Sequence, residues 1–164
     1  MVPRVPVWEG AAGISPLCAR LTHVSVALST ALTLALASPA SAVVKNFMSV
    51  LNAGQEVPPT SSKSFGNGFY TFDTVTKALC YSISYSEADL LAAETAAHIH
   101  GPASPGVDGV IVFGLPAGSP KQGCQALDAA SESALKKGQL YVNVHTSVNS
   151  GGEIRGQIIP VKGK

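Results

Sequence analysis

His98, His100 and His145 are the residues of this chain whose type and spacing suit chemistry best. A neutral imidazole offers one lone pair, and it is the commonest protein ligand for copper and zinc. In Ala97-His98-Ile99-His100 the two rings are two residues apart. On a β-strand that spacing puts them on one face, with Ala97 and Ile99 on the other. His145 lies in Tyr141-Val142-Asn143-Val144-His145, where Val142 and Val144 take one face and Tyr141, Asn143 and His145 the opposite one. All three imidazoles therefore project from the side of their strands away from the apolar core, the side expected to face solvent. A strand pair of histidines plus a third from another strand fills three positions around one ion. The same side chains also suit plain hydrogen-bonded sheet positions with no ion. What separates the two readings is whether the strands are neighbours.

The elements that must position these rings are short β-type runs punctuated by turn residues, the pattern of an all-β immunoglobulin-like sandwich or barrel with one helix. Strands are expected over 46–51, 69–73, 78–86, 96–100, 110–115, 139–146 and 153–161. Between them, Gln55-Glu56-Val57-Pro58-Pro59 reads as an extended edge, Gly66-Asn67-Gly68 and Thr74-Val75-Thr76-Lys77 as turns, and 87–94 as a helical turn or crossing loop. Residues 128–137 form the one expected helix, capped by Asp128 or Ser131 and ended by Gly138.

The last two strands constrain each other. Closing their loop about Asn149 sets His145 opposite Glu153, Asn143 opposite Arg155 and Tyr141 opposite Gln157, and it stacks valines on isoleucines. Glu153 is then placed to hold the second nitrogen of His145, the usual outer-shell arrangement around a metal ligand. Arg155 is expected to pair with Glu153 rather than with a ligand anion. Asn143 and Tyr141 complete the supporting polar face.

Other chemistries lack their residues. There is no nucleophile elbow and no phosphate-loop lysine. No two carboxylates stand out as a glycosidase pair. Charge is nearly balanced: setting aside Arg4, Arg20 and Glu9 leaves nine basic against nine acidic residues, so no basic stripe marks a nucleic-acid partner.

The 46% hydrophobic content is concentrated early in the 164 residues. Residues 24–44 carry no charge, with an apolar run at Ala27–Ala37. Arg4, Arg20 and His23 precede it, and Ser38-Pro39-Ala40-Ser41-Ala42 follows. A basic start, an apolar run and an Ala-x-Ala site are the parts of a secretory signal, so cleavage is expected after Ala42, leaving a single domain over 43–164. The run is shorter than the roughly 20 apolar residues of a spanning helix and is broken at Pro39, so no membrane anchor is expected after cleavage. Cys18 precedes the run and cannot serve as a lipoprotein cysteine. Cys80 and Cys124 remain, and in an exported chain, extracellular or periplasmic, such a pair reads as a disulfide rather than a thiolate metal site. In its strand Cys80 faces away from Leu79, Tyr81, Ile83 and Tyr85, toward a loop carrying Cys124.

Four blocks, in order, carry a resemblance: Gln55-Glu56-Val57-Pro58-Pro59, Ala97-His98-Ile99-His100-Gly101, residues 138–146 from Gly138 to Thr146, and residues 151–157 from Gly151 to Gln157. Together they resemble the CHRD domain family, over about residues 46–160. That family is named after chordin, an extracellular antagonist of bone morphogenetic proteins, and has many secreted bacterial members. The resemblance implies an immunoglobulin-like sandwich or barrel distantly similar to copper/zinc superoxide dismutase, and the His98-x-His100 strand looks like the dismutase strand that holds copper. A dismutase copper site uses four histidines beside a zinc site with an aspartate, whereas 43–164 offers three histidines. The expected function is thus a non-enzymatic exported domain binding copper or zinc through His98, His100 and His145. The alternatives are an extracellular protein-interaction module with no metal and, behind it, a minimal dismutase-like redox enzyme.

Overall fold

The computed structural model describes residues 41–162; the expected export segment lies almost entirely outside them. Among the described residues eight strands are present: β1 (Val44–Asn52), β2 (Phe65–Asp73), β3 (Ala78–Tyr85), β4 (Glu94–His100), β5 (Ile111–Gly114), β6 (Lys121–Ala126), β7 (Leu140–Thr146) and β8 (Ile154–Pro160). One helix, α1 (Ala129–Lys136), precedes β7. The strands form one antiparallel sheet in the order β5-β4-β7-β8-β1-β2-β3-β6. Among the described residues no helix is long and apolar enough to cross a membrane.

The sheet curls because each strand has an apolar face to bury. Phe47 and Leu51 of β1, Tyr70 and Phe72 of β2, Leu79 and Ile83 of β3, Ile99 of β4, Val142 and Val144 of β7, and Ile154 and Ile158 of β8 are fully or almost fully buried in one cluster. Burying such side chains is worth about 1.5–3 kcal/mol each. Leu135 of α1 plugs the same core. The helix starts where expected: the Asp128 carboxylate accepts a 2.7 Å bond from the Ser131 amide. It stops at Gly138, which has φ +69°.

Four expectations need correction. Gly66 and Gly68 lie inside β2 rather than in a turn. A side chain at Gly66 would fall 2.5 Å from the Ser84 carbonyl oxygen, so glycine serves close strand approach here and not chain reversal. The Gln55–Pro59 edge is instead entered by a single helical turn over Ala53–Gln55 that folds back against β8. Finally, the segment carrying Cys124 is a strand, β6. Lys121-Gln122-Gly123-Cys124-Gln125-Ala126 shows no apolar alternation; it is a strand because β3 supplies a ladder from Ala78↔Ala126 to Ile83↔Lys121. The 110–115 run is correspondingly reduced to the four residues of β5, and Val110 is exposed.

Cys80 and Cys124 face each other across that ladder and form a disulfide. It joins residues 44 apart in sequence, so its loss frees a long loop in the unfolded chain. Cys80→Ser with Cys124→Ser is expected to lower unfolding free energy by about 2–4 kcal/mol, seen as a lower urea midpoint and, because the freed unfolded chain exposes more surface, a steeper slope.

Candidate metal centre

β4 and β7 are neighbours although about 40 residues separate them, and the ladder sets His98 opposite Asn143, His100 opposite Tyr141 and Ala96 opposite His145. The third ring therefore lies diagonally beside His98. Ring centroids are 5.5 Å apart for His98 and His100, 5.0 Å for His98 and His145, and 5.7 Å for His100 and His145. One nitrogen from each ring can be taken so that all three lie within 4.8 Å of one another. Metal–nitrogen bonds of about 2.0–2.1 Å bring such nitrogens to roughly 3.5 Å, so closure on an ion asks for about 1 Å of ring movement.

Hydrogen bonding dictates which nitrogens are free. His100 Nδ1 lies 3.0 Å from the Gly109 carbonyl, and His145 Nδ1 lies 3.0 Å from the Ser150 carbonyl. A carbonyl only accepts, so each Nδ1 carries the proton and each Nε2 keeps its lone pair. Those two Nε2 atoms, with His98 Nδ1, are buried and have no hydrogen-bond partner. Burial lowers the affinity of His100 and His145 for protons, more than their carbonyl contacts raise it, and neighbouring positive charge adds to the effect. Both rings are thus neutral at neutral pH, the form that coordinates.

The face expected to meet solvent is a second interior. All seven residues of β7 are buried. Loops bearing Glu56, Ala103 and Gly109 close over Tyr141, Asn143 and Arg155. Tyr141 stacks on His100 with centroids 5.0 Å apart and 13° between planes, and its hydroxyl accepts from the Gly109 amide at 3.0 Å. The Arg155 Cζ lies 3.5 Å from the Tyr141 ring centroid. The β7–β8 register is the expected one, with Asn143↔Arg155 and Tyr141↔Gln157.

Two supporting roles differ from expectation. Glu153 does not hold His145. The ladder ends at Val144↔Ile154, so the chain departs before Glu153, and the Ser150 carbonyl takes the ring instead. Glu153 collects the Thr146 hydroxyl at 2.6 Å, the Asn149 amide at 3.1 Å, the Ser62 hydroxyl at 2.7 Å and the Leu91 amide at 2.6 Å. Burial alone would push its carboxyl up, but these bonds outweigh it and hold the group below the usual range. It fastens three loops around the site. Arg155 does not pair with Glu153 either. It donates to Asp108 at 3.3 Å, to the Val107 carbonyl at 2.9 Å and to the Gln157 side-chain oxygen at 3.3 Å, which ties the 101–109 loop down over Tyr141.

Glu56 is a participant that sequence reasoning passed over. It is 5% exposed and one carboxyl oxygen has no partner. It lies against Gly152, whose φ is +139° and where a side chain would fall 2.7 Å from Glu56 Oε2. Glu56 occurs in the Gln-Glu-Val-Pro-Pro block, but nothing in that block signals burial. Desolvation pushes its pKa up to about 7; Arg155 opposes the shift and Asp108 adds to it. A raised folded-state value means the contribution of Glu56 is fully present below about pH 4.5 and is lost as pH rises through about 7. Glu56→Gln keeps the shape without the charge. It should match the parent near pH 4 and exceed it in stability at pH 8 by on the order of 2 kcal/mol, read from urea midpoints at both pH values.

A family model described as the CHRD domain matches residues 47–158, which takes in both histidine strands, the disulfide and β8 up to its last core isoleucine. No curated protein and no solved structure gives a match.

Proposed function

The chain belongs to the CHRD domain family, and from that footing we propose that its domain is a non-enzymatic exported module holding one copper or zinc ion through His98, His100 and His145. The observation that carries the reading is the set of three buried ring nitrogens, none with a hydrogen-bond partner, on rings that crowd within 4.8 Å nitrogen to nitrogen. A buried polar atom left unpaired costs about 1–3 kcal/mol, and three together in one place are a cost that a bound cation removes. The second nitrogens of His100 and His145 are fixed by backbone carbonyls, the arrangement that orients metal-bound imidazoles. Export is supported by the disulfide, since such bonds persist in oxidising compartments, and by the signal-like residues 1–42. A dismutase-type centre needs more: the described residues gather three histidines and no carboxylate joins them, so the proposal stops at binding.

The test is titration of the metal-free chain with Cu(II) and with Zn(II), followed by calorimetry and, for copper, by its visible absorption. One equivalent is expected to bind, and binding no stronger than to a denatured control overturns the proposal. A protein-interaction role has its own supporting observation. On the outer side of β1, β2 and β8, Val50, Phe65, Phe69 and Ile159 are 39–60% exposed, and Met48 lies across from both Phe69 and Ile159. Large exposed apolar surface of this kind marks partner contacts. That face is on another part of the sheet from the histidines, so the two roles are separable by mutation.

A further inference from the structure

We propose that the three-histidine centre takes copper in its cuprous state in preference to cupric ion or zinc; the inference rests on the metal-binding reading above. Its basis is coordination number and charge. Among the described residues, the donors that converge are three imidazoles, with no carboxylate or thiolate among them. Of the nearby carboxylates, Glu153 is engaged on four donors around the loops and Asp108 on Arg155, while Glu56, buried beside Gly152 with one oxygen unpaired, lies outside the set that converges. Zinc completes a tetrahedron and cupric ion a tetragonal set, so each would have to bring at least one water to ring nitrogens that are themselves buried. A cuprous ion, with a filled shell and a single charge, is satisfied by three nitrogens.

Charge points the same way. Every donor is a neutral ring, so the ion's whole charge stays in the site, and the solvation lost on burial grows as the square of that charge. His100 and His145 are each 8% exposed. A fixed cation is also close. Arg155, 1% exposed, lies on the Tyr141 ring 3.5 Å from its centroid, and His100 stacks on that same ring at 5.0 Å. These contacts put the guanidinium within roughly 8–9 Å of the His100 ring and within about 12 Å of an ion on its Nε2, where at an effective dielectric of about 20 each additional unit of positive charge is disfavoured roughly tenfold. Its counter-ion Asp108 is largely exposed and therefore water-screened, so it offsets only part of that effect. A dication suffers this repulsion twice and a monocation once.

The experiment is an anaerobic competition on the purified chain. Cu(I), kept reduced by ascorbate, is titrated against bicinchoninate, and Zn(II) is titrated in parallel against a zinc-binding chromophore. One equivalent of Cu(I) should bind at least about tenfold more tightly than Zn(II), should survive an equimolar zinc challenge, and should show an X-ray absorption edge of three-coordinate copper. His98→Ala, with an unchanged far-ultraviolet spectrum, should weaken Cu(I) retention. If Zn(II) displaces Cu(I) at equal concentration, or if Cu(II) binds more tightly than Cu(I), the cuprous assignment is overturned while the metal centre stands. If no ion binds in stoichiometric amount, both fall.

Discussion

With copper present at about a thousand times its dissociation constant, the chain should gain about 4 kcal/mol of stability, and His100→Ala should gain none. For a domain of this size that gain is a rise in Tm of roughly 10–20 °C. The contrast follows from the hydrogen bonding of His100. Its Nδ1 is spent on the Gly109 carbonyl and its Nε2 on nothing, so the ring carries one unused, oriented lone pair. Removing it takes away one of three donors at a site with no fourth protein ligand among the described residues. The metal-free variant sharpens the test. His100→Ala loses the stack on Tyr141 and the bond to the Gly109 carbonyl but also deletes an unpaired buried nitrogen, and these effects oppose each other. Its metal-free stability should fall by about 1–3 kcal/mol, less than the usual cost of truncating a buried ring. Equal Tm rises in parent and variant would sink the ligand role of His100.

Lys121→Met should cost about 3–5 kcal/mol, the largest loss expected from any single replacement considered for this chain. Lys121 is fully buried. Its Nζ donates to Glu94 Oε1 at 2.6 Å and to the Pro116 carbonyl at 2.8 Å. The other Glu94 oxygen accepts from the Gly118 amide at 3.0 Å and from the Tyr85 hydroxyl. This cluster joins β3 and β6 to β4, clasping the two ends of the sheet where no ladder runs between them. Methionine fills the space but leaves the Glu94 carboxylate buried beside the Tyr85 ring without its cation. In Lys121→Met with Glu94→Gln the stranded charge is gone, and much of the loss should return. Urea unfolding of the two single variants and the double variant measures the coupling directly. A Lys121→Met loss under 1 kcal/mol would show that the clasp does not hold the sheet.

Neither member of that clasp stands out in the sequence. A lysine between Pro120 and Gln122 and a glutamate at the end of an alanine-rich loop look like surface residues, and lysine is almost never fully buried unless paired. Glu56 hides in the same way. β6 hides because its alternation is polar on both faces and only the partner strand makes it a strand. By contrast, the helix cap at Asp128, the Thr74–Lys77 turn and the disulfide were legible, since each depends on a few adjacent residues or, for the cysteines, on a count.

The histidine centre divides between the two levels. The period of two along a strand determined that His98 and His100 share a face, that His145 opposes Val142 and Val144, and that Asn143 meets Arg155 across the β7–β8 hairpin. These are local consequences of backbone geometry and of which side chains avoid water. That β4 lies beside β7, that the 101–109 loop folds over Tyr141, and that Ser150 rather than Glu153 takes the second nitrogen of His145 were decided only in three dimensions. Pairing between strands far apart in sequence is selected by burial of a common core and by where the loops can reach, and neither quantity is carried by any short stretch of the chain.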